Sequence, residues 1–362
     1  MGAFRILLCW LVVAAHVDPA TASHAGPAAA DAVRFAGPFA LFCFYAVSGY
    51  YMTLTLNSTY AVAGGLRAYY INRAIRILPL YVALLAICAP LAFLNDNPTR
   101  EAWAQLSGAS KVAAAAGQVV PLGQEAFTWL QIVGGSLAPT SDFRTTASPA
   151  WHLMILPTCW SLSIECWFYL FAPLLVRRSA AARCGIAAVS LGLWGVVFAM
   201  KLPPDPWIFR IFPAALVFFM AGSLTRTLHE KRKERVAAVA TSAGAPLTIA
   251  VFLALPVLYR LYAAGHPGAE TVALLIPLFA IALAMLPVLF ERSSSQTVLG
   301  RIDRFLADLA YPIFLVHYSV LRLTDWKHPF AILGASAVVG AVALLLVDRP
   351  MARFKAKTAT AA

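Results

Sequence analysis

The chain has 362 residues, of which 61% are hydrophobic and only 12% charged, and its mean hydropathy is +0.75. Soluble domains carry about 45–50% apolar and about 25% charged residues, so a soluble globule is excluded and an integral membrane protein is indicated. The net charge of +12 does not mark a nucleic-acid binder, because lysine and arginine sit in short groups between hydrophobic stretches rather than in one basic patch.

Repeated apolar segments, many near the roughly 20 residues that a spanning helix needs, predict helices rather than barrel strands. The first is MGAFRILLCWLVVAAHVDP, residues 1–19, with Arg5 near one end and His16 deep inside. In a helix these two lie on nearly the same face, roughly 16 Å apart along the axis. The stretch also has signal-peptide features: one arginine, an apolar run and the small-residue stretch ATASHA. Cleavage near residue 22 would remove His16; an ionisable His16 followed by Asp18 argues instead for a retained helix.

A second span is expected at 35–56, carrying FCFYAVSGYY, and a third, carrying YYINRAIRILPLY, ends near Leu94. Residues 95–150 are too polar and interrupted for a plain span. Their two apolar pieces, 112–122 and 127–137, suggest surface or re-entrant helices in an extracytoplasmic segment. The fourth span, 151–176, contains WSLSIECWFYLFAPLL; the fifth and sixth cover 184–200 and 207–226. HEKRKER at 229–235 reads as a solvated cytoplasmic loop. The remaining spans are expected at 236–259, 271–290, 307–323 and 330–347, with a basic tail at 348–362.

The expected fold is therefore an all-α polytopic bundle of about ten transmembrane helices, forming one domain over residues 1–362. With a cytoplasmic N-terminus, most arginines and lysines fall in cytoplasmic segments, among them Arg67, Arg177, Arg178, Lys231 and Lys233, as the positive-inside rule requires. Both termini are then cytoplasmic. The six cysteines show no CxxC pair or metal spacing, and are expected to be buried and reduced.

Ionisable groups at membrane depth are costly and mark candidate sites. His16, Glu165 and His317 qualify, as does the Arg73/Arg76 pair at the start of the third span. Counting 1.5 Å per residue puts His16 and His317 at roughly mid-depth, each in a helix rising from the cytoplasm. An imidazole with an ordinary pKa near 6.5 can accept a hydroxyl proton, so His16 is a candidate general base; the bland reading is a helix-packing histidine. Arg73 and Arg76, three residues apart, share a face and suit a phosphorylated ligand, although positive-inside arginines commonly meet lipid head groups. Ser161, Glu165 and Tyr169 recur every four residues, a polar stripe that either binds substrate or joins helices. Ser48, in SGYY, marks either a substrate contact or a close helix approach, and His317 either a polar wall of the site or packing support.

Together these stretches resemble the membrane acyltransferase-3 family, multi-pass O-acyltransferases of bacterial surface polysaccharides and related acceptors. Arg5 and His16 match its basic residue, ten others, then histidine; NRAIR matches its Arg-x-x-Arg pair; FYAVSGYY, WSLSIECWFYLFAPLL and YPIFLVHYSV match later signatures in order. The tail departs mildly, with DRP in place of the more usual Glu-x-Pro, and no fused esterase-like domain is expected. The resemblance implies acyl transfer, acetyl being the commonest group, from cytoplasmic acyl-coenzyme A to a hydroxyl of a carbohydrate or lipid-linked glycan, at the inner (plasma) membrane. Fitted to that expectation, His16 and Glu165 are the catalytic candidates, Arg5, Arg73 and Arg76 the donor-binding candidates, and Ser48, Ser161, Tyr169 and His317 the acceptor-binding candidates, and the mechanism needs no metal. From the residues alone, a polytopic transporter or flippase with an intramembrane His/Glu relay is the rival, though no inverted repeat is evident.

Overall fold

A computed structural model describes residues 1–16, 27–93, 97–242, 270–293, 297–324 and 329–355. The expected ends of the first and third spans, and most of the span at 236–259, lie outside the described residues. The chain divides into two compact units, Met1–Leu54 with Phe218–Ala341, and Thr55–Val217 with Val342–Ala362.

The helices are α1 (Gly2–His16), α2 (Pro27–Asn57), α3 (Gly65–Leu91), α4 (Pro98–Gln105), α5 (Gly108–Ala116), α6 (Cys159–Leu175), α7 (Ala180–Ala199), α8 (Phe212–Lys231), α9 (Lys233–Ser242), α10 (Glu270–Ser293), α11 (Val298–Leu323) and α12 (Pro329–Ala343). Among the described residues, five helical stretches are long and apolar enough to cross a membrane: Ala36–Asn57, Gly65–Leu91, Ala180–Ala199, Val298–Leu323 and Phe330–Phe354. Shorter apolar helices occupy Gly2–His16, Cys159–Leu175 and Phe279–Glu291. An all-α membrane protein follows from these, since helices satisfy their own backbone groups in a medium without water.

In the first unit, α1 lies parallel to α11 in a steady register of 300–302 residues. Asp303 accepts from the Ala3 N–H at 2.8 Å, capping a helix start that supplies no acid of its own. Gly2 fits because a Cβ there would fall 1.7 Å from the Asp303 carbonyl oxygen. Above it, Leu8, Cys9 and Val12 pack into clusters with Phe39, Cys43, Met285, Leu309, Ala310 and Ile313. The Cys9 thiol donates to the Ala310 carbonyl at 3.3 Å. Within the same unit, α2 and α8 touch through their backbones. A Cβ at Gly49 would stand 1.9 Å from the Phe219 oxygen, and one at Gly222 would stand 1.8 Å from the Ala46 oxygen. SGYY thus contains a close helix approach of the small-residue kind.

In the second unit, α3 is stitched to α6 by Tyr69 and Tyr70, whose hydroxyls donate to the Tyr169 and Leu170 carbonyls, both at 2.9 Å. The 95–150 segment differs from its expected pair of helices. Residues 108–116 are helical, but the second piece is a 3-10 turn, Gln124–Trp129, followed by a hairpin of β1 (Leu130–Val133) and β2 (Ser136–Pro139). The Gly134–Gly135 turn has φ of 55° and 80°, values that glycine adopts without strain and that match a two-residue hairpin loop. The segment also reaches inward: Gln124 donates to the Tyr81 hydroxyl, which donates to the Gln118 carbonyl at 2.5 Å.

HEKRKER is not a solvated loop throughout. Helix α8 continues to Lys231 and α9 resumes at Lys233, so His229 turns inward and is 2% exposed, whereas Lys231 to Arg235 are exposed. All six cysteines are free, and Cys9, Cys43, Cys88 and Cys159 are buried as expected; Cys166 is half-buried and Cys184 exposed, because α7 turns most of its apolar surface outward.

Candidate active site

The parallel register of α1 and α11 ends in a histidine pair. His16, the last residue of α1, brings Nδ1 within 3.3 Å of His317 Nε2 and 2.8 Å of the Val12 carbonyl. His317 Nδ1 lies 2.8 Å from the Phe314 carbonyl. The rings are 5.1 Å apart, and Tyr318 presents its ring edge-on to His16. His317 is buried at 1% exposure, while His16 is exposed at the helix end. Arg5, three turns below, lies 5.0 Å from the Tyr51 ring centroid and reaches the Ala307 carbonyl at 3.5 Å.

In the second unit the two arginines of NRAIR part company. Arg76 forms an ion pair with Asp348, Nη1 to Oδ2 at 2.5 Å, and both side chains are largely shielded. Asp348 is the acid of DRP and ends a π-helical turn, Leu344–Asp348, a local widening of the kind common at functional positions. Arg73 instead places its guanidinium 5.7 Å from the Tyr169 ring, with its Nε buried and without a hydrogen-bond partner among the described residues. Tyr169 donates to Glu165 Oε1 at 2.5 Å, one helical turn away. Two members of the expected polar stripe are therefore joined. The Ser161 hydroxyl donates to the Thr158 carbonyl at 2.8 Å. Ser48, 8% exposed, belongs to the first unit beside the α2/α8 contact.

Three polar groupings escape sequence reasoning. Glu125 accepts from the Ser163 hydroxyl and from Trp167 Nε1, the latter at 2.7 Å, and Ser163 in turn accepts from the Gly123 N–H at 2.6 Å. Its signal was an acid inside the apolar stretch PLGQEAFTW. Tyr50 hydrogen-bonds His229, whose Nε2 lies 3.1 Å from Glu291, while Arg226 lies 3.2 Å from His229 Nδ1. In the turn after α7, Asp205 meets Arg210 and Arg144, each at 2.5 Å. Burial alone would raise the Asp205 pKa, but the two guanidiniums outweigh it and hold the carboxyl below its ordinary value.

These features define a polytopic helical protein with a histidine pair at one helix end and shielded arginines in its second unit. A family model described as an acyltransferase domain matches residues 1–347, nearly the whole length. The chain belongs to the membrane acyltransferase-3 family and is a membrane acyltransferase. No curated protein and no solved structure matches it.

Proposed function

We propose that this protein is an O-acyltransferase of the cell membrane, moving an acyl group, acetyl in the first instance, from acyl-coenzyme A to a hydroxyl of a carbohydrate or lipid-linked glycan. In this reading the chain makes ten spans with both termini cytoplasmic, the 95–150 segment faces outward, and the donor arrives from the cytoplasm. The His16–His317 pair carries the proposal, since it sets an imidazole at an exposed helix end inside an acyltransferase family.

The reaction forms one ester C–O bond and breaks one thioester C–S bond. His16 takes the proton of the acceptor hydroxyl as its oxygen attacks the thioester carbonyl, and passes it to the departing thiolate, so no proton is gained or lost. The shielded Nε of Arg73, which has no hydrogen-bond partner among the described residues, fits an anionic donor, and Arg76, one turn on in the same helix, is paired with Asp348. Arg5 meets donor charge or steadies the site. Glu165 and Tyr169, already hydrogen-bonded, offer an acceptor contact in which the carboxylate receives a sugar hydroxyl, with Ser161 on the same helix stripe.

The test is purified protein in nanodiscs with radiolabelled acetyl-coenzyme A and a panel of glycan acceptors. Label should appear on a glycan with wild-type protein and be lost with Arg73→Ala/Arg76→Ala, whose donor affinity should fall. Donor binding that survives loss of both arginines would remove them from the donor site. Label transfer to no glycan would overturn the carbohydrate acceptor.

A further inference from the structure

His317 is buried, and both its ring nitrogens meet groups of the chain itself. A backbone carbonyl can only accept, so the Phe314 oxygen at 2.8 Å requires the neutral ring to carry its proton on Nδ1. That leaves the lone pair on Nε2, the atom 3.3 Å from His16. The same logic then passes to the second ring. His16 Nδ1 faces two acceptors, the Val12 carbonyl and the His317 lone pair, so Nδ1 holds the proton and Nε2 is the basic nitrogen.

We propose that His317 is a positioning residue for acyl transfer: anchored by the Phe314 carbonyl, it fixes the tautomer and orientation of His16 so that Nε2 of His16 receives the acceptor proton. This inference rests on His16 being the base. It deepens that reading by giving His317 a role exercised through His16 rather than on the acceptor.

The arrangement has the logic of a base oriented by a third group, with a neutral imidazole in the place usually taken by a carboxylate. When His16 takes the proton on Nε2, its Nδ1–H becomes part of an imidazolium, and the hydrogen bond to the His317 lone pair becomes charge-assisted and stronger. The stabilisation therefore grows as charge develops, which is when it accelerates the reaction. The parallel α1/α11 register, held at Asp303, Ala307 and Ala310 below, keeps the two rings at the same level. Tyr318, edge-on to His16 at 5.3 Å between ring centres, closes another side.

The experiment uses the full chain in nanodiscs, labelled with ¹⁵N-histidine, as wild type, His317→Gln, His317→Asn and His317→Leu. The His16 signals are assigned by their absence in His16→Gln. At a pH where His16 is neutral, the wild type should show Nδ1 protonated and Nε2 bare. Glutamine can turn its carbonyl to His16 and its N–H₂ towards Phe314, so it should keep that tautomer. Asparagine is too short to reach His16 and leucine has no acceptor; both should raise the Nε2–H population severalfold. Acetyl transfer should follow the same division, kcat falling about 10-fold to 100-fold for asparagine and leucine and recovering with glutamine, at unchanged affinity for acetyl-coenzyme A. Should the leucine variant fail to insert, the asparagine and glutamine pair carries the comparison. A wild-type His16 protonated on Nε2, or a tautomer balance indifferent to asparagine at position 317, overturns the proposal. If the tautomer switches as described while wild-type protein acylates no acceptor, the positioning stands and the acyl-transfer reading fails.

Discussion

The backbone contact between α2 and α8 makes a sharp prediction for Gly222→Ala. The added methyl would sit 1.8 Å from the Ala46 oxygen, and the obstacle is backbone, so no side-chain rotation relieves it. The helices must part by roughly 1 Å or more, which forfeits a quarter to a half of the dispersion energy along the contact. The Phe42/Phe218 stack at 3.9 Å and the Tyr45/Phe219 stack at 4.7 Å loosen, and the 2.7 Å hydrogen bond from Thr53 to Ser223 stretches. Overpacking costs about 1–3 kcal/mol and a lost hydrogen bond about 1 kcal/mol, so a loss near 3 kcal/mol and several degrees of Tm is expected. Gly49→Ala makes the reciprocal clash with the Phe219 oxygen. One separation relieves both, so the double variant should cost clearly less than the sum of the singles. Thermal unfolding can be followed by a thiol-reactive dye that reports exposure of the buried Cys43, in a Cys184→Ala background that removes the exposed thiol. A Gly222→Ala protein melting within about a degree of wild type, or strictly additive costs, would show that α2 and α8 do not meet at backbone distance there.

Asp348→Asn should remove about 2 kcal/mol by leaving Arg76 without its charged partner, and should raise the KM for acetyl-coenzyme A more than it lowers kcat; an unchanged Tm and KM would leave the DRP acid without a role. Asp205 binds its proton less tightly when folded than when unfolded, so its contribution is complete above the ordinary aspartate pKa near 4 and is lost as pH falls below it. The Tm of wild type should therefore drop on acidification below about pH 4 more steeply than that of Asp205→Asn, and parallel curves would contradict the assignment. Glu125→Ala should cost about 2 kcal/mol by stranding the Trp167 N–H and the Ser163 hydroxyl. Fluorescence of a protein carrying Trp167 as its sole tryptophan should shift, and an unmoved spectrum and Tm would show the contact to be incidental.

Much of the helical layout was legible because composition and span length act locally: α3, α7 and α11 fall close to the hydrophobic runs that predict them. The hairpin after Trp129 was less so, since its apolar residues resemble a short buried helix and only Gly134–Gly135 speaks for a turn. HEKRKER reads as solvated from its charge, yet the helix period carries His229 to the buried side of α8. At the candidate site, sequence spacing put His16 and His317 at similar depth on helices of the same direction. Their contact, across 301 residues, is a matter of tertiary register that no local pattern carries. The same limit applies to NRAIR: an i, i+3 spacing places Arg73 and Arg76 on one face, but the partners, Tyr169 and Asp348, come from elsewhere in the chain.

Whether His16 is the base is decided by the acetyl-transfer rate of His16→Gln, in nanodiscs, with protein shown by dye unfolding to be as stable as wild type. Loss of the base should lower kcat about 10²-fold to 10⁴-fold while acetyl-coenzyme A still binds with its original affinity. Transfer at the wild-type rate by the folded variant would show that a group other than His16 takes the acceptor proton.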